Sequence, residues 1–156
     1  MDIALAWDNA LARADIAWAA ADLAADVGLR TAILASLFTD ARADDSADLP
    51  DPADTDRRGW WGDAFSQQGE APGPSGSLLW LEARAFADEA ARQRIEQHCR
   101  DALAWIAASG IAAAVDVASA WLSAGQLQVV IAIRRSAGQA QAERFFDFIW
   151  RAEGVI

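Results

Sequence analysis

The sequence predicts an α+β domain: a mainly antiparallel sheet with helices packed on one face. Apolar residues recur at three- and four-residue spacing in two stretches of the first two thirds, and then alternate through the last third. At 156 residues the chain is long enough to bury one core without disulfides or metals, so residues 1–156 read as a single domain.

Taken in order, residues 3–7 (IALAW) and 15–19 (DIAWA) alternate well enough to form two short strands of a hairpin. Leu29, Ala32, Ile33 and Leu37 then predict an amphipathic helix of about three turns, starting near Asp26 or Gly28. Periodicity disappears over residues 41–76, where ADDSADLPDPADTD is acidic with two prolines and SQQGEAPGPSGS has the composition of a linker. LLWLEAR resumes helical character. The strongest helix follows, with Asp88 as N-cap, a stripe of Ala91, Ile95, Cys99, Ala102 and Ile106, and Gly110 as the stop. In the last third Val115, Val117 and Trp121 share one parity, as do Leu127, Val129, Ile131 and Ile133. SAGQ between these runs supplies a tight turn, and RFFDFIW alternates Phe146, Phe148 and Trp150 in a third strand.

The charge is −10 at pH 7, with 13 basic residues, all of them Arg, against 23 acidic ones. Such a surface argues against nucleic acid or an anionic membrane as partner. No apolar run reaches the length of a membrane span. The N-terminus lacks a signal peptide's pattern, and the single cysteine allows no internal disulfide, so a cytoplasmic history is expected.

No catalytic motif is visible, and neither a cofactor nor a metal is expected. His98 and Cys99 are neighbours in a helix and point about 100° apart, so they make a poor nucleophile and base; Cys99 is expected in the core stripe and His98 at its polar margin. Asp40, Asp44, Asp45, Asp48, Asp51, Asp54 and Asp56 lack the glycine and closing glutamate of a calcium loop. Residues 41–56 are instead expected to be a solvated loop, mobile in the isolated protein.

RRGWWGD raises a different question. Tryptophan is costly to expose, so Trp60 and Trp61 either cap the protein's own core or anchor a partner, and one ring inward with one outward satisfies both. Arg57, Arg58, Trp60, Trp61 and Asp63 are accordingly expected to bind a partner. Arg144, Phe145, Phe146, Asp147, Phe148 and Trp150 form a second expected surface, a strand edge on which another chain adds. Arg134, Arg135, Arg144, Asp147 and Arg151 guard that edge against uncontrolled pairing.

IALAWD, GLRTAILASLFTDARADD, RRGWWGD and RFFDFIW, with GSLLWLEAR and ALAWIAASGIAAAVDV between them, resemble the small baseplate proteins of Mu-like contractile-tailed phages, relatives of the T-even sheath-initiator (lysozyme-like) baseplate protein. The resemblance covers nearly the whole chain. It implies a non-enzymatic virion structural protein of the tail baseplate, assembled in the host cytoplasm. Its implied neighbours are a baseplate J-like wedge protein, the tail sheath protein and other baseplate proteins of a sixfold assembly. Sheath-initiator relatives carry a Glu-Pro-Arg motif after the long helix; WIAASGIA stands there in this chain. Two other classes stay open: an acidic immunity or inhibitor protein that binds a basic partner, and a peptidoglycan hydrolase.

Overall fold

The alternation of the last third builds the sheet on which the rest of the protein packs. The computed structural model describes residues 2–19, 22–23, 25–26, 29–65, 75–135, 138 and 142–152. In chain order the elements are β1 (Asp2–Ile3), β2 (Leu5–Asp8), β3 (Arg13–Ile16), β4 (Trp18–Ala19), β5 (Asp22–Leu23), β6 (Ala25–Asp26), α1 (Arg30–Phe38), α2 (Glu89–Ala108), β7 (Ala114–Ser123), β8 (Gln126–Arg134) and β9 (Glu143–Arg151), with 3-10 turns at Trp61–Phe65 and Leu79–Glu82 between the helices.

β7, β8 and β9 form an antiparallel sheet in that order, with β8 central. Leu127, Val129, Ile131, Ile133, Val117, Phe146 and Phe148 are buried on one face, as their parity predicts. Ile33, Leu34 and Leu37 of α1 and Ile95, Cys99, Leu103 and Ile106 of α2 cover that face, giving the α+β arrangement expected. Gly125, at φ +79°, closes the β7–β8 turn between the paired residues Ser123 and Gln126. On β9 the register passes from Ile131 opposite Phe146 to Ala132 opposite Arg144, so Phe145 is the extra residue of a β-bulge.

Asp88 caps α2 by accepting the Ala91 amide at 2.7 Å, as its sequence position predicts. At the far end Gly110 adopts φ +70° and the Ile111 amide returns to the Ile106 carbonyl. The inward stripe differs from expectation at Ala102, which is half-buried while Leu103 is fully enclosed. α1 likewise starts at Arg30, four residues after the earliest expected start, and buries Leu34 besides the expected Ile33 and Leu37.

The N-terminal hairpin is β2 paired with β3, each four residues long and shifted toward the turn from the expected 3–7 and 15–19, with Trp7 opposite Ala14. Two-residue pairings of β1 with β6 and β4 with β5 extend the segment. Trp7 packs flat on Phe38 at 3.8 Å between ring centroids and meets Phe148 edge-on at 6.4 Å. These contacts seat the hairpin against the sheet's β9 side.

The acidic loop is solvated, as expected, with most of residues 41–56 exposed, and it carries local order that its composition does not show. Residues 41–58 are folded into successive turns in which Asp44, Asp51 and Asp54 accept amides two residues on, from Ser46, Ala53 and Asp56. Arg57 donates to the Asp44 and Ala47 carbonyls, both at 2.7 Å, and Arg84 pairs with Asp51. Ala41 and Ala43 are buried. Composition missed this because the aspartates act through local turn geometry and backbone bonds, which need no apolar burial. The linker-like stretch at 66–74 lies outside the described residues.

Candidate functional site

Both tryptophans of RRGWWGD lie outside the core: Trp60 is 46% and Trp61 75% exposed. The expectation of one inward ring is therefore corrected, and the reason is Trp80. That indole is buried beneath the loop, donates to the Ala41 carbonyl at 2.9 Å, and carries the Arg58 guanidinium 4.5 Å above its ring. Arg58 also pairs with Asp40 at 2.6 Å. The space beneath the loop is filled, so the adjacent pair stays outside.

The flanking glycines explain how that pair is held. Gly59 has φ +105°, and a Cβ there would lie 2.7 Å from the Arg42 Cβ. Gly62 lies under the Trp60 ring, where a Cβ would come within 2.2 Å of two ring carbons. Trp60 thus rests on bare backbone, with the Trp61 ring 5.6 Å away. Asp63 accepts the Ser75 amide at 3.1 Å.

Trp60 also forms one wall of a groove of about 690 Å³ between α1 and α2. Its floor is made of small residues, among them Ala32, Ala35, Ala102 and Ala108. Trp105 spans the floor, donating to the Ser36 hydroxyl at 3.0 Å.

Arg144, Phe145, Phe146 and Asp147 of β9 line a recess of about 340 Å³ together with Trp7, Asn9 and Arg30. Arg144 pairs with Asp147 at 3.0 Å, and Arg30 lies 5.8 Å from the Phe146 ring centroid. Phe146 and Phe148 are buried in the core and Trp150 meets Trp121 edge-on at 6.1 Å. Their side chains are therefore turned inward, and at these positions only the main chain reaches the edge. The Ile149 amide points away from β8 and donates to the Asn9 side chain at 2.9 Å. By the alternation of an antiparallel ladder, the Asp147 amide faces outward as well.

Two buried carboxylates escaped the sequence reading. Glu96 accepts from Arg92, Arg100 and both the amide and hydroxyl of Ser119, which ties α2 to β7. Its signal was available in the four-residue spacing of Arg92, Glu96 and Arg100. Glu82 accepts two bonds from Arg94, at 2.8 and 2.9 Å, and lies 3.4 Å from His98 Nε2. Burial pushes both carboxyls up, but hydrogen bonds outweigh it, from His98 and Arg94 at Glu82 and from Ser119 and Arg100 at Glu96, and both are held below the usual range. A general acid needs the opposite shift. Cys99 is fully buried and its thiol is pushed up to about 12 by desolvation, while His98 turns to Glu82, so the two do not share a site. Among the described residues no group of His, Cys, Asp and Glu is placed to hold a metal, and no helix is long and apolar enough to cross a membrane.

The described residues thus form an α+β domain with an exposed tryptophan pair and two buried carboxylates paired with arginines. Residues 29–140 match the family model described as phage protein GP46, and the chain belongs to that family. Baseplate protein gp46 of Escherichia phage Mu is 40% identical over 132 residues, covering 85% of this chain and 86% of the relative. The Mu-like prophage FluMu protein gp46 of Haemophilus influenzae is 31% identical over 116 residues, 74% of this chain and 73% of that one. The matched family region contains the helices, the tryptophan loop and the β7–β8 hairpin, with β9 beyond it.

Proposed function

We propose that this chain is a non-enzymatic structural component of a contractile phage baseplate, wedge-associated, which templates sheath assembly by strand addition on the outer edge of β9. The name of the Mu relative supports the baseplate role. The Ile149 amide is taken by Asn9, so the outward amide of Asp147, at the same parity, is what supports the strand-addition reading. A growing sheath needs a first template, and main-chain pairing supplies one without matching side chains. The Phe145 bulge and the Arg144–Asp147 pair beside it limit how far the edge pairs with anything else. In this reading the neighbours are a baseplate J-like wedge protein, the sheath protein and other baseplate proteins in sixfold array within the virion tail.

Asp147→Pro removes one outward donor, whereas Asp147→Ala keeps it. Mixed with sheath protein and the remaining baseplate parts, the alanine variant should nucleate sheaths and the proline variant should not, while both fold. Sheaths of normal length growing from baseplates that carry the proline variant would overturn the proposal.

A further inference from the structure

We propose that the groove between α1 and α2 seats an amphipathic helix of a neighbouring baseplate protein, with its apolar face on the alanine floor and Trp60 and a basic residue paired with Asp101. That the neighbour is a baseplate protein rests on the reading above; the groove's preference for a basic amphipathic helix does not.

The shape selects a helix. The lining runs from Ala32 to Ser36 on α1, with Thr39 just past its end, and from His98 to Ala108 on α2, the latter about 15 Å of helix axis, or some three turns of an occupant. Alanine at the floor lets a third backbone approach to the ordinary helix-packing distance of about 8–10 Å. An added strand would need an open sheet edge, which neither helix provides.

Polarity selects an apolar contact over a small polar ligand. The Trp105 indole N–H is taken by Ser36, and the Ser77 hydroxyl by the Leu37 carbonyl, so these groups are already satisfied within the protein. Neither group is left to orient a small molecule.

Charge selects the flank of the helix. Among the described lining residues there is no arginine, and Asp101 is the one carboxylate. His98 at the same wall is turned to the buried Glu82. In a chain of net charge −10, this wall attracts a cation.

Trp60 supplies the anchor. It is half exposed at the groove's wall, and its ring sits where only a glycine at position 62 leaves room. An aromatic side chain fixed before binding loses little freedom when covered, which is the condition for a hot spot.

The test places benzoylphenylalanine at Ala35, at Ala104, or at the control position Gln93 in the full-length protein within assembling particles, and sequences the peptides captured by photo-cross-linking. Ala35 and Ala104 should capture one and the same segment of another baseplate protein, amphipathic at helical spacing with Lys or Arg on one flank, and Gln93 should not. Capture of a second copy of this chain, an intramolecular link, an acidic or non-periodic segment, or no capture would each overturn the proposal. Trp60→Ala and Asp101→Arg should each lower baseplate yield at least tenfold with the melting temperature of the isolated chain unchanged; wild-type yield from both would overturn it. Baseplates are scored before sheath protein is added, so a failure here is distinct from a failure of strand addition at β9.

Discussion

Ile149 donates its amide to the side-chain oxygen of Asn9 at 2.9 Å, across 140 residues of sequence. The same oxygen accepts the Trp7 indole N–H at 3.0 Å, so one side chain joins the N-terminal hairpin to the β9 edge. Asn9→Ala should cost about 1–2 kcal/mol in urea unfolding and accelerate hydrogen exchange at Ile149. Unchanged exchange at that amide would show that the hairpin's other contacts, the Trp7–Phe38 stack and the Leu5–Thr31 bond, hold it without Asn9.

The three tryptophans of the loop region should separate by burial. Trp80→Ala removes a buried indole, its bond to Ala41 and the seat of Arg58, and should cost about 3–5 kcal/mol. Trp60→Ala and Trp61→Ala should each cost less than that, because Trp60 is half and Trp61 largely exposed. Chemical denaturation of the three variants checks the order, and a loss at Trp61 equal to that at Trp80 would contradict it.

Acid should reveal Glu82. Its folded-state pKa lies below the ordinary 4.5, so its contribution is fully present above that value and is lost as the pH falls through the folded pKa. Glu82→Gln should be less stable than the parent at pH 7 by about 1.5–3 kcal/mol, and the gap should close on acidification below pH 4.5. Denaturation midpoints measured from pH 7 to pH 3 follow the difference, and a constant gap would rule out this carboxylate as the source.

Cys99 should resist thiol reagents. With the thiol buried and its pKa raised to about 12, almost no thiolate exists at pH 8. Iodoacetamide should label the native protein at least a hundredfold more slowly than the unfolded chain, as read by intact mass. Comparable rates would mean that α2 opens readily.

Elements with strong periodicity were legible in advance. The parity of Leu127 to Ile133, the N-cap Asp88 and the stop at Gly110 follow from side-chain chemistry acting within a few residues. What sequence missed depends on distant partners. Trp80 could not be told from Trp60 as the inward indole, because the choice rests on the Ala41 carbonyl, 39 residues away. Glu82 reads as a surface carboxylate until Arg94 and His98 of α2 are placed beside it. The acidic turns were hidden because composition records the aspartates and not the amides they accept. At the strand edge, alternation gave the faces of Phe146 and Phe148, while the bulge at Phe145 and the covering by Asn9 belong to tertiary pairing.

Ser77 bonds back to the end of α1 three ways: its amide to the Thr39 carbonyl at 2.9 Å, its carbonyl to the Ala41 amide at 2.9 Å, and its hydroxyl to the Leu37 carbonyl at 2.5 Å. Gly76, at φ +101°, leaves no room for a side chain against Thr39. The chain therefore leaves and returns at a single point, and the two ends of the segment between are pinned to each other. A guest peptide inserted in one of its exposed turns, away from Ala43, Arg58 and Trp60, would add length there without pulling those two ends apart.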